Sequence, residues 1–119
     1  MSKREKEHRE FRDYLNDIVQ SIGDIRSFTK GITYENFTKD KKTLYAVIRC
    51  LEVLGEAVKK VPLPTRKRYS EIPWEAIAGM RDKLIHEYFG VDTETLWDTI
   101  REDLPLLHET AVKMIHDLK

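Results

Sequence analysis

The sequence predicts an all-α protein, an antiparallel bundle of four main helices. Three observations carry that expectation. Apolar residues recur at three-four spacing in four separate segments. No segment of useful length alternates apolar and polar residues as a strand does. The scarce glycines (five) and prolines (four) mark the breaks, at Gly31, at Pro62, Pro64 and Pro73, and at Gly90.

The first helix is expected from roughly Lys3 to Lys30, with Phe11, Tyr14, Leu15, Ile18, Ile22, Ile25 and Thr29 on one stripe. Gly31 closes it. The second starts near Asp40, a good N-cap, and reaches about Lys60; its stripe is Leu44, Val47, Ile48, Leu51, Leu54, Gly55 and Val58. The third opens at Pro73, a favoured first-turn residue, and runs to about Phe89. The fourth begins at Asp92 or Thr93 and repeats Trp97, Ile100, Leu104, Leu107, Ala111, Met114 and Leu118. Pro105 lies inside it and lacks a backbone donor, so either a kink near Ile100–Arg101 or two abutting helices is expected. The connector carries Lys59, Lys60, Arg66, Lys67 and Arg68 with no acid, and reads as a solvated loop or as a contact for a phosphate backbone.

Composition narrows the function. The chain has 119 residues, enough for a single domain over 1–119 and one core. Its 21 Lys and Arg offset 21 Asp and Glu, which argues against a bulk electrostatic binder of nucleic acid or membrane while leaving room for a local basic patch. No apolar run approaches the ~18 residues of a membrane span, and the charged Met1–Glu10 stretch is unlike a signal peptide, so a cytoplasmic protein without membrane contact is expected. A single cysteine, Cys50, excludes an internal disulfide and a Cys-rich zinc site, and reads as an inert thiol. Glu5-x-x-His8 has the spacing of a di-iron ligand pair, but such bundles need two copies and the chain has one. His108 and His116 are expected to face solvent. Neither a metal nor a cofactor is expected.

The third helix carries the candidate chemistry. At 100° per residue Trp74, Ile77, Ala78, Leu84 and Ile85 form an apolar face, with Arg81 in its middle and Tyr88 beside it. A guanidinium there must be paired, with Glu52 or Glu56 of the second helix as candidates, or must sit at the mouth of a groove. Glu75, Gly79, Asp82 and His86 share a neighbouring flank, where Gly79 permits close approach of another backbone and Asp82 can orient His86 from i to i+4. An arginine beside a histidine of near-neutral pKa suits phosphodiester cleavage by general acid–base catalysis. Arg81 would stabilise the phosphorane charge and His86 would move the proton. On an ideal helix the two lie about 140° apart, so they meet on one ligand only where another helix or subunit completes the cleft.

Arg81-Asp-Lys-Leu-Ile-His86-Glu-Tyr88 reads Arg-x4-His-x-Tyr, within the block from Ile72-Pro-Trp to Phe89-Gly-Val-Asp92. Leu51-Glu-Val-Leu-Gly-Glu-Ala57 precedes it, and Leu96-Trp97 and Asp103-Leu-Pro105 follow. This pattern resembles the HepT-like ribonuclease toxins of the HEPN superfamily, from type VII toxin–antitoxin pairs, across nearly the whole chain. The resemblance implies an all-helical homodimer whose two Arg/His motifs line a shared cleft. It implies cleavage of RNA, transfer RNA among the candidates, by attack of the 2′-hydroxyl on the adjacent phosphate without a required metal. Carried over, Arg81 and His86 are the catalytic pair. Tyr88 is the tyrosine that a cognate nucleotidyltransferase antitoxin modifies with AMP from ATP. Asp82 and Glu87 match variable positions and are expected, with Glu52 and Glu56, to have supporting roles only. The alternative is a non-catalytic HEPN-type module that binds nucleotide or the partner enzyme through Arg81.

Overall fold

In the computed structural model the described residues are 1–86 and 92–118, with the backbone alone for Arg81, Leu84, Ile85 and His86. Helix α1 spans Lys3–Thr29 and opens on Ser2, whose side chain accepts from the Glu5 N–H. Its inward stripe, Leu15, Ile18, Ile22 and Ile25, is fully buried. After α1, Gly31 takes φ +74°, a left-handed conformation that costs a glycine nothing, and Ile32 N–H returns to the Thr29 carbonyl at 3.1 Å. Helix α3 spans Lys41–Lys59 from the expected cap, Asp40, whose carboxylate accepts from Thr43 N–H and O–H. These hydrogen bonds hold the Asp40 carboxyl below its ordinary pKa. Helix α5 spans Trp74–His86. Helix α3 packs against α1 on one side and α5 on another, and the last helix, α7 (Leu104–Asp117), packs against α1. Phe37, Val47, Leu54, Val58, Val61, Leu96, Leu104 and Leu107 complete a core centred on α3 and α1.

Two short helices depart from expectation. Helix α2 spans Tyr34–Lys39 between α1 and α3, capped by Thr33, and contributes one buried side chain, Phe37. Phe37 lies against Trp97 with ring centroids 5.0 Å apart; Tyr34 meets the same indole at 6.0 Å, and the Tyr34 and Thr93 hydroxyls are 3.2 Å apart. Helix α4 spans Leu63–Arg68, within the connector expected to be a loop. Pro62 is its cap and Pro64 sits in its first turn, where a missing N–H costs no hydrogen bond. Arg66, read from sequence as one of a free basic set, instead donates Nε to the Val61 carbonyl and Nη2 to the Val58 carbonyl, both at 3.0 Å. It adds a side-chain donor to the Val58 carbonyl, which also accepts the Val61 N–H, and reaches the Val61 carbonyl just beyond α3.

The last segment resolves the alternatives left by Pro105. Helix α6 spans Thr93–Asp98, a π-helical turn spans Thr99–Asp103, and α7 spans Leu104–Asp117. Proline at 105 cannot donate to the Arg101 carbonyl and its ring crowds that group. The backbone widens before it, so that Leu104 N–H reaches Thr99 O, five residues back. Asp92 caps α6, accepting from the N–H groups of Glu94 and Thr95. At the far end the Leu118 carbonyl accepts from Arg12 Nη2 at 3.3 Å and from His8 Nε2 at 3.1 Å, which gives His8 a structural task instead of metal binding. Among the described residues no helix is long and apolar enough to cross a membrane.

Candidate functional site

Helix α5 holds the candidate site, and its first half is fixed by the core. Trp74 is buried and donates its indole N–H to the Tyr69 carbonyl at 3.0 Å, which anchors the start of the helix to the end of α4. Ile77 and Ala78 are buried beside it, as their spacing predicted, and Ile72 is buried just before the helix. The backbones of Arg81 and His86 belong to the helix. Their side chains lie outside the described residues, and so do Glu87 and Tyr88 entirely.

Asp82 is described. Its Oδ1 accepts from Lys59 Nζ at 2.6 Å, joining the last turn of α3 to the residue that follows Arg81. The expected contact of Asp82 with His86 involves a side chain outside the described residues. Lys59 was not singled out by the sequence beyond its place in a basic run. It stands 23 positions from Asp82, so no local spacing could reveal the pairing.

Of the acidic candidates on α3, Glu52 has a partner on its own helix. Glu52 Oε2 accepts from Arg49 Nη1 at 3.3 Å on its own helix. Glu52 and Glu56 both line a groove of about 290 Å³ between α1 and α3, with Tyr14, Asp17, Arg49, Val53 and Ala57. Glu52 is engaged by Arg49 at the α1 side of α3, and the side chain of Arg81, for which Glu52 or Glu56 was the candidate partner, lies outside the described residues. A side chain added at Gly79 meets no described atom within 4 Å, which leaves that flank open to another backbone.

The remaining titratable candidates are ordinary. Burial raises the pKa of the half-buried Cys50 thiol, as suits an inert group. His116 is exposed, whereas His108 is half-buried instead of facing solvent, and desolvation with Arg26 nearby lowers its pKa. Among the described residues no group of three or more His, Cys, Asp or Glu is arranged to hold a metal ion.

The model of the family described as ribonuclease HepT-like matches residues 18–114. The chain belongs to the HepT-like ribonuclease family. It is 50% identical over 111 residues to a Methanocaldococcus jannaschii protein named provisionally as an RNase, covering 93% of this chain and 96% of that one. It is 52% identical over 99 residues to a Thermococcus cleftensis protein named a probable ribonuclease HepT, covering 83% and 90%. A Caldanaerobacter subterraneus relative, again provisionally an RNase, is 44% identical over 108 residues, covering 91% and 96%. No solved structure matches the chain significantly. The matched span contains all of α5, so the HepT-like family's likeness extends over the candidate site.

Proposed function

We propose that this HepT-like protein is a toxin endoribonuclease that cleaves RNA as a homodimer, without a required metal. The observation that carries the reading is the motif Arg81-x4-His86-x-Tyr88 within a chain of this family, borne on a helix whose first half is locked into the core. In the cleft between two copies, His86 takes the proton from a ribose 2′-hydroxyl or returns one to the leaving oxygen. The 2′ oxygen bonds to phosphorus, the bond from phosphorus to the 5′ oxygen breaks, and a 2′,3′-cyclic phosphate and a 5′-hydroxyl result. Arg81 offsets the charge that builds on the phosphorane oxygens. Because substrate supplies the nucleophile, a single 2′-deoxy substitution at the cleavage position blocks the reaction.

A cognate nucleotidyltransferase antitoxin restrains the enzyme. It transfers AMP from ATP to the Tyr88 hydroxyl: the phenolic oxygen bonds to the α-phosphorus, the α–β bond breaks, and pyrophosphate and a proton leave. The decisive experiment is His86→Ala, assayed on RNA in EDTA. Cleavage is lost while helicity by circular dichroism and dimer mass by light scattering are retained. Cleavage by His86→Ala at the wild-type rate removes His86 from the mechanism.

A further inference from the structure

The chain carries no net charge, yet its cations are unevenly placed. Between Glu56 and Glu71 there is no acid, and five cations stand at Lys59, Lys60, Arg66, Lys67 and Arg68. The structure divides their tasks. Arg66 is consumed in capping α3, and Lys59 is held by Asp82. Lys60, Lys67 and Arg68 are exposed, and none of them is ion-paired among the described residues. A cation near a helix C-terminus can simply answer the dipole. Here the terminal carbonyls of Thr65 and Arg66 already accept the Tyr69 N–H, and Lys60 stands outside α4, at the end of α3.

Two features suit this cluster to a polyanion. It is rigid, since Pro62, Pro64 and the two Arg66 hydrogen bonds fix α4 on the end of α3, and little backbone entropy remains to be lost on binding. Its first member, Lys60, follows Lys59, whose Nζ reaches Asp82, so the cluster starts where α3 is tied to the candidate helix α5. We infer that Lys60, Lys67 and Arg68 form a contact surface for the phosphate backbone of single-stranded RNA flanking the cleavage site. This rests on the reading of RNA as substrate. Such contacts position the strand without reading its bases.

The test measures binding in the full-length His86→Ala protein, by fluorescence anisotropy of a labelled single-stranded RNA of mixed sequence at stepped salt. Each phosphate contact contributes about 0.7 to the slope of log affinity against log salt on a single strand. Replacing Lys60, Lys67 and Arg68 by Gln is expected to flatten that slope by about 2 and to weaken binding about tenfold at low salt. The charge-retaining set Lys60→Arg, Lys67→Arg and Arg68→Lys keeps the slope, and circular dichroism verifies that both variants fold. An unchanged slope in the Gln variant overturns the inference and leaves these cations to an acidic protein surface; failure of the His86→Ala protein to bind RNA overturns it too. The catalytic reading is judged separately, by cleavage with the wild-type protein, so a flattened slope without cleavage supports the contact surface and refutes the nuclease.

Discussion

Lys59 Nζ and Asp82 Oδ1 stand 2.6 Å apart and tie the last turn of α3 to α5 immediately beyond Arg81. The two side chains are 34% and 48% exposed, so the pair is solvent-screened and contributes well under about 1 kcal/mol to stability. Its value is geometric. A helix that must present two groups to one phosphate tolerates little rotation, and a misplacement of about 1 Å can cost up to a hundredfold in rate.

Lys59→Met is therefore expected to leave urea stability within about 1 kcal/mol of wild type while lowering kcat about tenfold, with KM little changed. Lys59→Arg restores most of the rate. A kcat equal to wild type in Lys59→Met would mean that α5 holds its orientation without the bridge.

Arg66 makes the opposite case, a large structural effect from a surface-looking residue. Its guanidinium spans two carbonyls, those of Val58 and Val61, in a partly buried setting. Arg66→Ala leaves carbonyls at the end of α3 without this donor and is expected to cost about 2 kcal/mol in chemical denaturation. Arg66→Lys recovers little, since an ammonium cannot reproduce the planar fork. Equal stability of Arg66→Lys and wild type would contradict a two-carbonyl cap.

What the sequence made legible follows from how much each element buries. Helices α1 and α3 present long apolar stripes, so their extents and the Asp40 cap could be read to within a residue or so. Helix α2 buries only Phe37 and α4 buries nothing, so neither has a periodicity to detect. Pro62 and Pro64 signalled a break, although the same residues start a helix when they occupy its first turn. Pro105 located the distortion without disclosing its form, because a kink and a widened turn relieve the same clash. At the candidate site the helix and its motif were visible as spacing. The bridge from Lys59 was not, since it depends on how a connector with its own helix returns the chain. Glu52 and Glu56 were left as alternatives for Arg81 because α3 packs on both α1 and α5, and a polar flank between two interfaces does not declare by spacing which it serves.

His108 supplies a pH dependence with a definite sign. Desolvation, then the charge of Arg26, lowers its pKa in the folded state from the ordinary value of 6.5. The unfolded chain therefore binds the proton first as pH falls, and stability drops through that window. Thermal unfolding from about pH 7 to about pH 5 is expected to show a falling Tm whose slope is shallower in His108→Gln. Identical slopes in the two proteins would place His108 in a water-like environment.

On the proposed reading, Tyr88 separates the enzyme from its control. AMP on Tyr88 would add bulk and a negative charge two residues beyond His86, and a negative charge there would repel the phosphates that Arg81 is proposed to attract. Removing only the phenolic oxygen removes the acceptor of AMP and keeps the ring. Tyr88→Phe is thus expected to cleave RNA at near the wild-type rate and, with the partner nucleotidyltransferase and ATP labelled at the α-phosphate, to take up no label and lose no activity. Wild-type protein under the same conditions becomes labelled and silent. Label on Tyr88→Phe at the wild-type level would move the modification to another residue and with it the explanation of how the toxin is restrained.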